Sequence, residues 1–189
     1  MRHVLIEQLQ QDELYVSNDI TLGKDKTNGI LLYGTNAVGK SSLIKSIGIC
    51  VIMAQAGMFV PCSEFYYEPY TAIYSRIIGN DNLFKGLSTY AVEISELRTI
   101  LQNADTNSLV LGDELCSGTE TVSALSVVMA SLIALHEKQS SFILASHFHE
   151  LVHYDELKAC ENIQLKHMEV YYDKDNDCLV YDRKLKNGS

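Results

Sequence analysis

The segment from Gly34 to Ser41 constrains the fold more than any other part of this chain, because it has the spacing G-x-x-x-x-G-K-S. In this pattern the glycines let the backbone curl until successive N–H groups point at phosphate oxygens. A short apolar run at 30–33 precedes the segment, and an apolar helical pattern begins at Ser42. The sequence therefore predicts a buried strand, a phosphate loop and a helix whose positive end faces the phosphates. A chance match in an ordinary loop is the alternative, and the flanking patterns disfavour it.

Each residue of this loop is a candidate ligand for a nucleotide. Lys40 can reach the β- and γ-phosphates, and the hydroxyl of Ser41 can ligate Mg²⁺. The predicted nucleotide-binding residues are Gly34, Thr35, Asn36, Ala37, Val38, Gly39, Lys40, Ser41 and Ser42.

A second polar site follows an apolar strand pattern at 109–111, which delivers two adjacent carboxylates, Asp113 and Glu114. Asp113 suits the Mg²⁺ shell, directly or through water, beside Ser41. Glu114 suits a general base that polarises the attacking water. Strands often end in solvated acids, so the pair alone is a weak signal. A complete phosphate loop upstream makes it a strong one.

A third polar site, Ser146-His147, follows another apolar strand pattern. We expect His147 to contact the γ-phosphate or the catalytic water, although a surface histidine that caps the next helix is the plainer alternative. His147, His149 and His153 also have the spacing H-x-H-x-x-x-H, which raises metal binding as a rival. The phosphate site already accounts for His147, so we rank the metal below it.

Strand and helix patterns alternate along the chain, which indicates an α/β fold with a mainly parallel sheet flanked by helices. Ligands of such sheets gather at the carboxyl ends of the strands, where the three polar sites lie. Further strands are predicted at 14–16 and 65–78, and helices from Ser88 and over 119–138. The tail, 163–172 and 179–185, reads as a hairpin that would add peripheral antiparallel strands.

Composition sets the broad class. The 189 residues suffice for one domain, and a net charge of −9 argues against this chain alone gripping DNA. No apolar run is long enough to cross a membrane and no signal peptide is evident, so no membrane partner is expected. The five scattered cysteines favour reduced thiols and an intracellular location. For Cys116, we favour the role of a small packing residue over that of a redox switch.

The motifs together resemble the C-terminal ATPase domain of the MutS family of DNA mismatch-repair proteins. The entry Arg2-His3-Val4-Leu5-Ile6-Glu7 and the segment Tyr15-Val16-Ser17-Asn18-Asp19 resemble family motifs. So do the loop residue Asn36, the stretch Gly86-Leu87-Ser88-Thr89-Tyr90-Ala91-Val92-Glu93, the acidic Asp113-Glu114 with Gly118-Thr119, and Ser146-His147-Phe148-His149-Glu150-Leu151. The matches run in order through nearly the whole chain, so their joint signal is specific.

The resemblance implies a P-loop NTPase of the ABC-ATPase type that binds ATP and Mg²⁺ and works as a dimer. Each composite site would take the phosphate loop of one subunit and the signature serine, here Ser88, of the other. Tyr15 would stack on adenine, and Asn36 and His147 would line the γ-phosphate and water region. A helix N-cap for Ser88 and a half-buried strand aromatic for Tyr15 remain the alternatives.

Some positions depart from the family pattern. Thr35 and Val38 replace a usual Pro and Gly of the loop, and Ser123-Ala124 replaces a common Asp-Gly. Arg183 falls near a position where bacterial members often carry a histidine that contacts adenine. The family continues beyond Ser189 with dimerisation helices and has DNA-binding domains upstream. We therefore interpret residues 1–189 as a single ATPase domain that lacks these elements, either as an isolated domain, as a truncated gene product or as a fragment of a longer chain.

The favoured hypothesis is an ATPase that, in the full protein, couples nucleotide state to clamping on mismatched DNA in a DNA-containing compartment. A MutS-like role in recombination or another DNA transaction, without mismatch reading, is the first alternative. A nucleotide-binding assembly module with negligible hydrolysis is the second. A transport ABC subunit is disfavoured because Gly86-Leu87-Ser88-Thr89 stands in place of L-S-G-G-Q.

Overall fold

A computed structural model of the chain describes residues 1–9, 15–23, 27–35, 37–77, 89–116, 120–174 and 177–188. Asn36, Ser88 and the Gly118-Thr119 pair, which the sequence singles out, lie outside these ranges. The elements are α1 (Ile6–Leu9), β1 (Gly29–Tyr33), α2 (Lys40–Gln55), β2 (Ala72–Arg76), α3 (Thr89–Asn103), β3 (Ser108–Asp113), α4 (Thr121–Glu137), β4 (Ser141–Ser146), a 3₁₀ turn (His149–His153), α5 (Asp155–Lys158), β5 (Ile163–Asp173) and β6 (Cys178–Asn187).

The six strands form one sheet in the order β2-β3-β4-β1-β5-β6. Five strands are parallel, and β6 pairs antiparallel with β5 at the edge. The predicted α/β fold, with a mainly parallel sheet and a peripheral antiparallel hairpin, is confirmed. Because β4 separates β1 from β3, the phosphate loop after β1 and the carboxylates after β3 end two strands apart at the same edge.

Alternate residues of the central strands pack into two hydrophobic cores, one on each face of the sheet. Leu31, Leu144 and Val110 point to one core, which α3 and α4 cover. Ile30, Ile143 and Leu111 point to the other, which α2 covers. This alternation follows from the two-residue period of a strand. All residues of β1 and β3 are buried, as expected for strands covered on both faces.

Helix α2 begins at Lys40, directly after the loop. Gly39 precedes it in the left-handed region at φ 110°, a conformation that glycine adopts without strain. Of the helices in the described ranges, none combines the length and the apolar character needed to cross a membrane.

The early strand predicted at 14–16 is wrong over its described residues. Residues 15–22 form no strand and run alongside β6. The Asn18 side chain takes the place of backbone pairing with β6. Its amide nitrogen donates to the Arg183 carbonyl (3.0 Å) and its amide oxygen accepts from Leu185 N–H (2.7 Å). A side chain therefore satisfies the backbone groups that a strand would have paired.

The strand predicted at 65–78 is also too long, because only Ala72–Arg76 pairs in the sheet. The Gln55 side chain at the end of α2 explains the difference. It donates to the Tyr70 carbonyl and accepts from Tyr70 N–H, both at 3.0 Å. Tyr66 is 89% exposed, so the aromatic residues that suggested a buried strand lie partly on the surface.

Candidate functional site

A polar cavity of about 360 Å³ opens at the carboxyl edge of the sheet, between the loop after β1 and the ends of β2 and β3. Its lining combines the phosphate-loop residues with the two carboxylates predicted from the sequence. The lining residues are Thr35, Ala37, Gly39, Lys40, Ser41, Ser42, Lys45, Ile77, Asp113 and Glu114. The fold thus brings together two motifs that are far apart in the sequence.

The Lys40 side chain is almost fully buried at the base of this cavity. Its ammonium donates to the carbonyl oxygens of Gly34 (2.6 Å) and Thr35 (3.1 Å), and lies 3.5 Å from Glu114 Oε1. These contacts satisfy a buried charge that would otherwise be costly. They also connect the loop to the acidic end of β3 through one side chain.

Asp113 ends β3 and is 3% exposed. Within the described part of the chain, its Oδ1 is a buried oxygen with no hydrogen-bond partner. A buried carboxylate oxygen without a donor is rare and calls for a ligand. Because Asp113 and the Ser41 hydroxyl line the same cavity, this pair fits the oxygen ligands that Mg²⁺ prefers.

Glu114 follows Asp113 on a turn of unusual backbone geometry. Its φ is +49°, and that of Cys116 is +61°, which places both residues in the left-handed region that side chains other than glycine rarely adopt. The Glu114 N–H donates to the Ala145 carbonyl of β4 (3.1 Å), so the amide stays attached to the sheet. The Glu114 side chain is 20% exposed, open to the cavity.

A carboxylate from α3 holds the far side of this turn. Glu93 is 5% exposed, and its Oε1 accepts a hydrogen bond of 2.7 Å from the backbone N–H of Cys116. Glu93 ends the motif that begins at Gly86, and the motif alone gives it no role. Its position four residues before the buried Leu97 on the same helix was a signal that it points inward.

His147 lies outside the cavity lining and is exposed. The Ser146 hydroxyl accepts the N–H of Phe148 (3.0 Å), which closes a tight turn, and Phe148 is buried in the core. The residue between them therefore points away from the core. His149 instead stacks on Tyr33, with ring centroids 5.7 Å apart. Nowhere in the described ranges do three His, Cys, Asp or Glu side chains converge as metal ligands.

Tyr15 is half-buried and does not line the cavity either. Gly34 and Val38 belong to the loop but lie beneath its surface. Val38 is fully buried, and a Cβ built on Gly34 would come within 2.9 Å of the Val38 side chain. The departure of Val38 from the family pattern thus fills the space under the loop.

Two lining residues were missed from the sequence, Lys45 and Ile77. Lys45 lies four residues after Ser41 on α2, and helical spacing alone places the two on one face. Ile77 directly follows β2, which neighbours β3 in the sheet. Because ligands gather at the carboxyl ends of parallel strands, the residue after β2 could have been predicted to line the cavity as well.

Comparisons with known proteins identify the family of this chain. A family model described as MutS domain V matches residues 30–189. The putative DNA mismatch repair protein mutS homolog L359 of Acanthamoeba polyphaga mimivirus is 43% identical over 223 aligned residues, which cover 100% of this chain and 20% of that protein.

Two further relatives come from distant sources. The mitochondrial DNA mismatch repair protein mutS homolog of Sarcophyton glaucum is 40% identical over 100% of this chain and 18% of its own length. The DNA mismatch repair protein MutS of Alkaliphilus metalliredigens is 35% identical over 100% of this chain and 21% of its own length. This chain therefore spans about a fifth of the length of these relatives. The resemblance read from the motifs is confirmed, and the chain belongs to the MutS family.

Proposed function

We propose that this chain is an ATPase domain that binds ATP with Mg²⁺ and hydrolyses it to ADP and phosphate. The observation that carries the proposal is the meeting, at one cavity, of a buried lysine, a carboxylate oxygen with no hydrogen-bond partner among the described residues, and a second carboxylate. Lys40, Asp113 and Glu114 supply these three groups. Phosphoryl transfer to water needs such charge stabilisation and a group that orients the nucleophile.

Each group has its own role in this proposal. Lys40 neutralises the charge on the β- and γ-phosphates, while the backbone N–H groups of the loop and the N-terminus of α2 hold the remaining oxygens. Glu114 accepts a proton from the attacking water as the water adds to the γ-phosphorus. The bond to the ADP oxygen then breaks, and the leaving oxygen takes up negative charge near Lys40.

Ser41 and Asp113 are the residues that would hold Mg²⁺. The fit rests on the buried Oδ1 of Asp113, which has no protein donor among the described residues and shares a cavity with the Ser41 hydroxyl. When bound, the ion neutralises charge on the β- and γ-phosphate oxygens.

We further propose that a second MutS-type subunit completes the site. The cavity lining lacks Tyr15 and His147, two residues that the resemblance assigns to the nucleotide. In this proposal Ser88 of one subunit contacts the γ-phosphate bound by the other. Tyr15 stacks on adenine, and Asn36 and His147 approach the γ-phosphate when the subunits close. Residues 1–189 act as one domain.

The relatives' names are those of DNA mismatch repair proteins, and we extend that role to this chain. Nucleotide state would then control the grip on mismatched DNA, which other domains of the protein would contact, inside the cell. A net charge of −9 fits a domain that acts on DNA through other domains.

The test is ATP turnover per chain, measured with Mg²⁺ across a wide range of protein concentration. We expect the specific rate to rise with concentration, because a partner must complete each site. Glu114→Gln should keep the ATP dissociation constant within a few-fold and lower turnover at least a hundredfold, the size of effect seen for a general base.

Glu161→Gln is the matched control. Glu161 is exposed and precedes β5, so it lies at the edge of the sheet opposite the cavity. The Glu161→Gln variant should hydrolyse ATP at the same rate as the parent chain. If Glu114→Gln hydrolyses ATP as fast as the parent, Glu114 is not the base. Tight ATP binding with no turnover at any protein concentration would instead support the alternative of a nucleotide-binding assembly module with negligible hydrolysis.

A further inference from the structure

The turn that carries Glu114 is held from two sides. On the sheet side, Glu114 N–H donates to the Ala145 carbonyl (3.1 Å). On the helix side, Cys116 N–H donates to Glu93 Oε1 (2.7 Å), a contact between residues 23 apart in the sequence. The residue between them, Leu115, is 3% exposed and anchors the turn in the core.

This turn needs such support because its backbone is strained. Glu114 and Cys116 both have positive φ, at +49° and +61°. A residue with a side chain in this region is strained and keeps this conformation only where the surroundings hold it. Without the bond to Glu93, the Cys116 N–H would be a buried donor lacking a partner, which adds a further penalty.

Two charged side chains, Glu93 and Arg76, act on Cys116 in this turn. Arg76 at the end of β2 lies near Cys116 and pairs with Glu96 of α3 at 3.0 Å. Burial raises the pKa of the Cys116 thiol to about 11. The Glu93 carboxylate adds to this rise, and Arg76 opposes it. Glu93 therefore acts on Cys116 in two ways, because it accepts the backbone N–H and disfavours ionisation of the thiol.

We propose that Glu93 is a positioning residue for ATP hydrolysis. Through the Cys116 amide it fixes the turn that points the Glu114 carboxylate into the cavity, 3.5 Å from Lys40. Glu93 itself does not line the cavity, so it acts through the backbone and not on the nucleotide. The inference rests on the proposed role of Glu114 as the base.

Three substitutions separate the acceptor from the charge. Glu93→Gln keeps a carbonyl oxygen at the same reach but removes the charge. Glu93→Asp keeps the charge but shortens the side chain by one methylene, so it withdraws the acceptor from Cys116. Glu93→Met keeps the length and removes the acceptor.

If Glu93 positions the turn, turnover should follow the acceptor. We expect Glu93→Gln to stay within about threefold of the parent kcat. Glu93→Asp and Glu93→Met should fall at least tenfold in kcat, with KM and the ATP dissociation constant within about twofold. A misplaced general base affects the chemical step and leaves nucleotide binding intact.

The matched control is Glu96→Met on the same helix. Its carboxylate pairs with Arg76 and, among the described residues, has no contact with the turn that carries Glu114. The kcat of this variant should therefore stay near that of the parent. Hydrogen exchange at the Cys116 amide gives a second readout that needs no turnover. It should be slow in the parent and in Glu93→Gln, and at least tenfold faster in Glu93→Asp and Glu93→Met.

Two results would overturn the inference. One is a kcat for Glu93→Asp and Glu93→Met equal to that of the parent, and the other is unchanged exchange at Cys116. A different result would contradict the proposed function. The parent chain would then show no ATP turnover, or only turnover that Glu114→Gln leaves unchanged. In that event the exchange at Cys116 still decides whether Glu93 holds the turn.

Discussion

Single buried polar groups carry most of the functional information in this chain. Lys40 and Asp113 are 4% and 3% exposed, yet both face the same cavity. Buried charged residues are uncommon unless paired, and one oxygen of Asp113 has no partner within the described ranges. Other buried groups have a plainer explanation, and the cysteines are the clearest case.

Thiol reactivity is predictable residue by residue. Burial raises the pKa of Cys50 to about 12, with the neighbouring Cys62 acting in the same direction, and raises that of Cys116 to about 11. At pH 8 both thiols are almost entirely protonated, and the thiolate is the reactive form. Brief iodoacetamide treatment at pH 8 should therefore label the exposed Cys178 and leave Cys50 and Cys116 unlabelled, as mass spectrometry would show.

A Cys178→Ser variant should lose the fast phase of labelling. This loss would assign the fast phase to Cys178. Raising the pH toward 11 should speed the labelling of Cys116 only as far as the core opens, because the residue is 0% exposed. Labelling of Cys116 as fast as Cys178 in the folded chain would show that Cys116 is accessible. It would then be a candidate for redox chemistry and not a packing residue.

At the scale of elements, strand β1 depends on close contact with its neighbour β4. Gly29 pairs in register with Phe142, and a Cβ built on Gly29 would lie 2.0–2.6 Å from three atoms of the Phe142 ring. Phe142 is fully buried and cannot move aside without disturbing the core. Glycine at the start of β1 thus makes room for an aromatic ring that fills one face of the sheet.

Gly29→Ala should accordingly destabilise the fold by about 1–3 kcal/mol through overpacking. Urea unfolding followed by circular dichroism would measure the change. The double variant Gly29→Ala with Phe142→Leu should lose less stability than the sum of the two single variants, because the smaller side chain vacates the space. Strict additivity of the two changes would contradict the proposed clash.

At the scale of the whole molecule, Asn18 joins the N-terminal segment to the last strand. Residues 182–184 of β6 lie opposite the single residue Glu169 of β5, so β6 bulges there, and Arg183 takes a left-handed φ of +54°. The bulge frees backbone groups that β5 does not pair. Asn18, 5% exposed, accepts from Leu185 N–H and donates to the Arg183 carbonyl, across 165–167 residues of sequence.

Replacing this amide should loosen the two ends of the chain together. Asn18→Leu removes two partly buried hydrogen bonds to the backbone and should cost about 1–3 kcal/mol of unfolding free energy. For a domain of this size each kcal/mol lowers Tm by about 2–4 °C. Thermal unfolding measures the total loss, and hydrogen exchange at the Leu185 amide shows where it occurs.

Asp19→Ala is a suitable control, because Asp19 is the exposed neighbour of Asn18. It should unfold at the parent temperature. An Asn18→Leu chain with the parent Tm and a protected Leu185 amide would show that the bulge is held by other contacts.

Local spacing accounts for what could be predicted from the sequence. The phosphate loop, the strand before it and the helix after it depend on neighbouring residues, so Gly34 to Ser41 fixed them without further context. The alternation of strands and helices then predicted a parallel sheet, and with it the edge at which Asp113 and Glu114 meet Lys40.

The errors arose where side chains replaced strand pairing. The segments 15–22 and 65–70 have strand-like composition. In the first, the Asn18 amide binds backbone groups of β6, and in the second, the Gln55 amide of α2 binds the backbone of Tyr70. Composition alone does not distinguish a backbone paired in a ladder from one bonded to a distant side chain.

The sequence by itself determined the family and the fold class, and it predicted the residues that would bind a nucleotide, because each depends on short, ordered motifs. The tertiary structure alone decided which of them share a cavity, and it left Tyr15 and His147 outside. It also decided that Glu93 supports the turn of Glu114 and that Asn18 secures β6. Those contacts join residues 23 and 167 positions apart, and distances of that kind are set by how the layers pack.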